Sequence, residues 1–210
     1  MLLPSGIYAL TSAPHSLGRS NIEVSEQILK SGIKILQYRE KSKKPKAMYE
    51  ECLALRKMTR EAGAIFIVND YLDLALAVDA DGVHIGQDDL PIDIVRKIVG
   101  SKRIIGLSTH SPNRLKLQYG GADYIGVGPI YSTQTKTDVC DPVGVEYLRY
   151  VVKNLDVPFV AIGGIKEHNL PEVVRNGAKT VALVTEIVGS EDIPGTISRL
   201  NSILDKGVKK

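Results

Sequence analysis

Residues Ala64–Leu90, AIFIVNDYLDLALAVDADGVHIGQDDL, decide the fold. Ala64–Val68 is a short apolar run rich in β-branched and aromatic residues, the pattern of a strand buried on both faces. It stops abruptly at Asn69-Asp70. Tyr71–Ala80 then sets Leu72, Leu74, Ala75, Leu76 and Val78 at helical spacings, and Gly82–Ile85 is a second buried strand, ended by Gly86-Gln87-Asp88-Asp89. Strand, helix, strand is a parallel βαβ unit with a right-handed crossover. Adjacent parallel strands lie roughly 5 Å apart, so Asp70 and Asp89 can share one rim. Two carboxylates that close repel unless a proton or cation lies between them, and Mg²⁺ suits an all-oxygen pair. The competing reading is that Asp70 caps the helix that follows it.

Working outward, the same alternation recurs along the chain. Strands are expected at Ile7–Leu10, Lys34–Gln37, Ala64–Val68, Gly82–Ile85, Arg103–Leu107, Tyr124–Val127, Phe159–Ile162 and Thr180–Val184. Helices are expected at Asn21–Ser31, Pro45–Ala62, Tyr71–Ala80, Pro91–Val99, Pro112–Tyr119, Gly144–Lys153, Leu170–Asn176 and Ile193–Leu204. Eight such units without a linker or low-complexity segment predict a single (β/α)₈ TIM barrel over residues 1–210, with 206–210 a frayed basic tail. An open doubly wound sheet is the rival, but it rarely needs eight evenly spaced parallel strands in a chain this short. In a barrel, function belongs to the segments that follow the strands.

Composition narrows the class. The 210 residues suit one domain, and a formal charge of +3 is too mild to argue for a nucleic-acid partner. Cys52 and Cys140 have neither metal-ligand spacing nor the look of a disulfide framework, as in a reducing cytosol. The N-terminal segment lacks the charged and apolar regions of a signal peptide, and nothing approaches a membrane span. A soluble cytoplasmic domain is expected, its oligomeric state open.

The expected rim is strongly polar. After strand two, Gln37, Arg39 and Lys41 share a face if the chain stays extended, forming an anion clamp. The run Lys41–Lys46 reads as a solvated loop. Ser108-Thr109-His110 follows strand five. The segment 126–138, GVGPIYSTQTKTD, reads as a long mobile loop of the lid type, with Thr133, Thr135 and Lys136 as donors. Gly163-Gly164 and Thr185 follow strands seven and eight, where this fold commonly holds phosphate on backbone N–H groups. His84 reads as a satisfied core residue, and His15, His110 and His168 have no partners at metal spacing. No Ser/His/Asp set or Cys/His pair is evident, which leaves covalent catalysis little support. An inferred metal, an anion clamp and a separate phosphate nest suit two phosphorylated substrates, or one phosphorylated at both ends.

The motifs QYREK at 37–41, VNDYLDLAL at 68–76, ADGVHIGQDDL at 80–90, GLSTHS at 106–111, GVGPIYSTQTKTD at 126–138 and AIGGI at 161–165 resemble thiamine-phosphate synthase. The resemblance runs in order from strand one to strand eight. It implies a (β/α)₈ transferase that joins hydroxymethylpyrimidine diphosphate to thiazole phosphate and releases pyrophosphate. It further implies that Gln37, Arg39, Lys41, Asn69, Ser108 and Lys136 hold the pyrimidine diphosphate, with Arg39, Lys41 and Lys136 serving the chemistry. Asp70 and Asp89 would bind Mg²⁺. Thr133, Gln134, Thr135, Gly164, Val184 and Thr185 would hold the thiazole phosphate. Ser12 stands where the family often has Asp, and Thr185 where it usually has Ser, with the hydroxyl kept.

The implied reaction ionises the pyrimidine methylene–oxygen bond and lets the thiazole nitrogen capture the cation. The alternatives are a thiazole tautomerase on the same barrel and a non-catalytic binder of thiamine precursors; a phosphosugar epimerase rests on fold analogy alone. The binder should have lost the metal carboxylates. A tautomerase needs a titrating side chain at the site. Its family places a catalytic His just after the Gly following strand six, where this chain has Pro129.

Overall fold

The structure, a computed structural model, describes residues 3–111, 120–133, 135 and 140–208. Eight parallel strands form a closed barrel in sequence order: β1 (Gly6–Leu10), β2 (Ile35–Tyr38), β3 (Ile65–Asn69), β4 (Gly82–Ile85), β5 (Ile104–Thr109), β6 (Tyr124–Val127), β7 (Phe159–Ala161) and β8 (Thr180–Leu183). Closure is made by β8 against β1, with Gly6 opposite Thr180 and Ala9 opposite Leu183. The expected (β/α)₈ barrel is the observed fold.

The helices are α1 (Asn21–Lys30), α2 (Pro45–Glu61), α3 (Leu72–Ala77), α4 (Ile92–Val99), α5 (Gly144–Asn154), α6 (Leu170–Arg175), α7 (Thr185–Val188) and α8 (Ile193–Val208). The helix expected at 112–119 lies outside the described residues.

Strand parity divides the apolar residues into two cores. One set of alternate positions points outward and packs under the helices, as Ala9, Leu36, Phe66, Val83, Ile105, Ile125 and Val181 do. The other fills the barrel interior with Tyr8, Leu10, Ile35, Ile67, Ile104, Tyr124, Val160 and Ala182. The inner cluster is small, so polar side chains on the same strand faces can take the space towards the C-terminal ends.

Several boundaries move, each for a local reason. Helix α3 is shorter than expected because Val78 caps it and Asp79 then turns at φ +51, ahead of β4. Asp79 is held there by Arg60 and Arg103. β5 runs on to Thr109, because Ser108 and Thr109 still pair with Gly126 and Val127. β8 stops at Leu183, because Val184 leaves extended geometry to begin α7. The last helix continues past Leu204 to Val208, into the segment read as a tail. Gly207 sits so close to Val174 that a Cβ there would lie 2.0 Å from its methyl carbon.

The tightness of the inner layer is testable at Gly82. A Cβ on it would stand 2.3 Å from the Ile104 carbonyl oxygen and 2.7 Å from Ile104 Cβ. Relief requires β4 and β5 to part, so Gly82→Ala should cost about 2–3 kcal/mol. A thermal melt should fall by several degrees, whereas Gly120→Ala, with nothing within 4 Å of its added carbon, should leave it unmoved.

Candidate active site

A cavity of about 780 Å³ opens at the C-terminal mouth of the barrel. That is large enough for two small phosphorylated heterocycles. Strands, rather than loops, supply its floor. Gln37 from β2, Asn69 from β3, His84 from β4 and Ser108 from β5 all line it, with Tyr8 from β1 and Tyr124 from β6 beneath them. Gln37 Nε2 donates to Tyr8 Oη at 2.7 Å, and the two phenol oxygens lie 2.9 Å apart. His84 Nδ1 is 2.9 Å from Tyr124 Oη, and its Nε2 is 3.0 Å from Ser108 Oγ. Burial pushes both tyrosines well above the ordinary phenol range, so both are neutral.

Arg39 also lines the cavity. Its Nε is buried, with no hydrogen-bond partner among the described residues. Burial presses the guanidinium below its ordinary pKa, and Asp70 and Glu40 pull it back. A desolvated cation with an unused donor is a strong anion receptor.

The clamp differs from its expected form. Extension ends at Tyr38, so Lys41 does not share the cavity face of Gln37 and Arg39; its ammonium pairs with Asp70 at the rim. Glu40, immediately before it, is buried and shapes the turn. It accepts the Lys41 amide at 2.9 Å, the Ser42 amide at 3.3 Å and the Ser42 hydroxyl at 3.1 Å. Although burial acts to raise it, these hydrogen bonds and Lys43 hold the Glu40 carboxyl below the usual range. Lys43 is likewise not merely solvated: its ammonium lies 2.6 Å from Glu51 and 3.6 Å from Glu40. Lys44 and Lys46 are exposed.

The capping reading of Asp70 fails. Tyr71 occupies the N-cap position of α3, and no side chain caps it. Asp70 instead adopts φ +64, fixed by its amide donating to the His84 carbonyl at 2.9 Å. A non-glycine residue held in the left-handed region points to function. Asp89 curls back in a local turn, its carboxylate taking the Gly86 amide at 2.6 Å. Among the described residues no group of three or more His, Cys, Asp or Glu gathers as a metal cage.

Across the mouth, Gly163, Gly164, Val184 and Thr185 line the cavity beside Thr133 and Thr135. The two threonine hydroxyls lie 3.1 Å apart. Gly164 has φ +63, and a Cβ there would meet the Ser132 and Tyr131 carbonyl oxygens at 2.4 and 2.8 Å. Its lack of a side chain therefore serves the packing of the segment after β6 as much as access to the cavity. That segment is pinned at its start, with the Ile130 and Tyr131 amides donating to the Ile162 and Gly163 carbonyls at 2.9 Å each. This corrects the reading of the whole 126–138 segment as mobile. Gln134 and Lys136 lie outside the described residues.

Three features escaped the sequence. Lys166 lines the cavity, with its ammonium 2.8 Å from Thr185 Oγ1 and 3.2 Å from Glu186. All four histidines line it too. His84 is hydrogen-bonded, as a satisfied residue should be, but it faces the cavity. Tyr8 and Tyr124 carried the only available signal, a polar tip at an inward position of an apolar strand.

The match to a family model described as thiamine monophosphate synthase covers residues 7–187. The thiamine-phosphate synthase of Pelotomaculum thermopropionicum is 62% identical, over 98% of this chain and 94% of that protein. That of Lawsonia intracellularis is 53% identical, over 96% of this chain and 94% of that one. The solved thiamine phosphate pyrophosphorylase from Pyrococcus furiosus superposes with a TM-score of 0.86 at 34% identity, covering 96% of both chains. The chain belongs to the thiamine monophosphate synthase family and is an enzyme, a transferase.

Proposed function

We propose that this barrel joins hydroxymethylpyrimidine diphosphate to thiazole phosphate, forming thiamine phosphate and pyrophosphate by a dissociative substitution. The observation that carries the reading is Arg39, a half-buried cation whose Nε has no hydrogen-bond partner among the described residues, set between a polar floor and a rim that holds Lys41. The diphosphate lies against Arg39 and Lys41, with Lys136 as a third cation from the segment after β6. Gln37, Asn69 and Ser108 hold the pyrimidine ring. Thr133 and Thr135 face the thiazole, to which the resemblance also assigns Gln134, and its phosphate rests on Gly164, Val184 and Thr185, where Lys166 adds a charge.

The carboxylates fit Mg²⁺. Asp70 and Asp89 offer hard oxygens at successive strand ends, and Asp70 is held in a costly backbone conformation without capping a helix. Mg²⁺ is usually held by one or two carboxylates, with water and phosphate oxygens completing its octahedron. Bound there, it would supply positive charge to the departing pyrophosphate.

The chain's own groups account for the rest. As the methylene–oxygen bond lengthens, negative charge grows on the leaving pyrophosphate, and Arg39, Lys41 and Lys136 stabilise it. The electron-rich pyrimidine ring bears the complementary cation. The thiazole nitrogen already has a lone pair, so its attack needs no general base. Holding both rings in one cavity converts the encounter into a near-unimolecular step.

Purified protein given both substrates and Mg²⁺ should release pyrophosphate, and EDTA should silence it. Asp70→Asn and Asp89→Asn should each lower turnover by orders of magnitude, with melting little changed; full activity in EDTA would sink the metal role. Gly164→Val should raise the KM for thiazole phosphate far more than that for the pyrimidine diphosphate. A larger rise in the KM for the pyrimidine diphosphate would mean the phosphates are assigned to the wrong ends, and equal effects that the substitution acts through the segment after β6. The tautomerase alternative is tested with the thiazole tautomer alone. Pro129 cannot move a proton, so isomerisation should be negligible. Rapid interconversion, together with no pyrophosphate release once the pyrimidine is added, would overturn the assignment.

A further inference from the structure

Five polar side chains cross the barrel floor in one unbroken series: Gln37, Tyr8, Tyr124, His84 and Ser108. Their protons can be counted. Gln37 Nε2 only donates, so Tyr8 Oη accepts from it at 2.7 Å. A neutral phenol has one proton, and that of Tyr8 must then go to Tyr124 Oη, 2.9 Å away. With Tyr124 donating to it at 2.9 Å, His84 Nδ1 is the unprotonated nitrogen. A neutral imidazole then carries its hydrogen on Nε2, 3.0 Å from Ser108 Oγ. Ser108 accepts it and has its own proton left to give.

We propose that this series locks His84 as the Nε2–H tautomer and presents Ser108 to the cavity as a hydrogen-bond donor, making Tyr8, Tyr124 and His84 positioning residues for an acceptor atom, such as a ring nitrogen, on the heteroaromatic substrate. The substrate half of this rests on the pyrimidine diphosphate reading above; the tautomer does not.

The surrounding packing favours the series. Tyr8 and Tyr124 are each 1% exposed, which keeps the middle of the series away from bulk water. At Gly106 a Cβ would lie 2.2 Å from Tyr124 Cζ and 2.5 Å from His84 Nδ1, so a bare backbone there is what lets these two groups meet. Gly126 is less demanding, since a Cβ there would stand in ordinary contact with His84 Cε1 at 3.4 Å. The polarity has a single origin. With the Gln37 amide turned over, Oε1 would accept from Tyr8, every proton would reverse, and Ser108 would offer a lone pair instead of a proton. The neutral imidazole also keeps positive charge off the floor, beneath a ring that becomes cationic.

The test uses the full chain with ¹⁵N-labelled histidine at pH 8, where an ordinary imidazole is neutral. Long-range ¹H–¹⁵N correlation reads the tautomer, and a His84→Gln sample assigns the signal. His84 should show a protonated Nε2 and a bare Nδ1. The opposite pattern, or an even mixture, would overturn the proposal. Kinetics supply the second arm. Tyr124→Phe should loosen the tautomer preference and raise the KM for the pyrimidine diphosphate about tenfold, the scale of one lost hydrogen bond, without moving that for thiazole phosphate. Adding Ser108→Ala should cost little more than Ser108→Ala alone. Equal change in both KM values, or fully multiplying effects, would reduce the series to a packing role. Should Tyr124→Phe fail to fold, the wild-type spectrum still decides the tautomer. An Nε2–H spectrum in a protein that releases no pyrophosphate would instead defeat the synthase reading alone.

Discussion

The pairing of β8 with β1 is the constraint from which everything else follows. An open eight-stranded sheet would leave two rows of unpaired backbone groups at its edges, and closure removes both. It also makes the interior narrow. Side chains at inward positions meet across the axis, so each strand must ration bulk, and Gly82 and Gly106 stand where a neighbour leaves no room. The inner cluster fills the lower part of the barrel with Leu10, Ile35, Ile67, Ile104 and Val160. Towards the C-terminal ends the same strand faces turn polar, which is why Gln37, Asn69, His84 and Ser108 reach one cavity without any loop to place them.

This placement gives the floor a rigidity that the rim lacks. A side chain on a paired strand has a fixed origin, and hydrogen bonds to its neighbours fix its end. The rim is organised differently, by charge. Glu40 gathers the amides of Lys41 and Ser42 into a tight turn, Lys43 neutralises it, and Lys41 is delivered to Asp70. The result is a loop whose cations are already ordered, so little reorganisation is needed when an anion arrives.

The fold was legible because buried parallel strands are short apolar runs, and eight of them at even spacing leave little choice of architecture. The site was legible in its residue types but less so in its geometry. Alternation placed Gln37 and Arg39 correctly on the cavity, then failed at Lys41, because parity holds only while the chain stays extended and a buried Glu40 ends that extension. Ser108 was read as following its strand, since no apolar pattern marks the last two residues of β5; cross-strand pairing with β6 settles them. Lys166 was invisible for a related reason. It lies beyond the glycines on a turn without periodicity, and only the fold brings it to Thr185. Tyr8 and Tyr124 were counted with the apolar strands, as their rings deserve, but their hydroxyls meet only in three dimensions.

A site that breaks a carbon–oxygen bond to leave a cation on one fragment and a pyrophosphate on the other needs opposite environments within a few ångströms. On the proposed chemistry this barrel separates them by depth. The guanidinium of Arg39 and the ammonium of Lys41 stand at the strand ends, where the leaving group's charge grows. On the proposed tautomer the floor is neutral, with Tyr8 and Tyr124 kept protonated by burial and His84 hydrogen-bonded between Tyr124 and Ser108. A charge placed on that floor would act at low dielectric, where each ångström counts for more than in water. Neutrality below and cations above would therefore pull the electron pair towards the mouth, and the same closure that narrows the barrel holds the two layers apart.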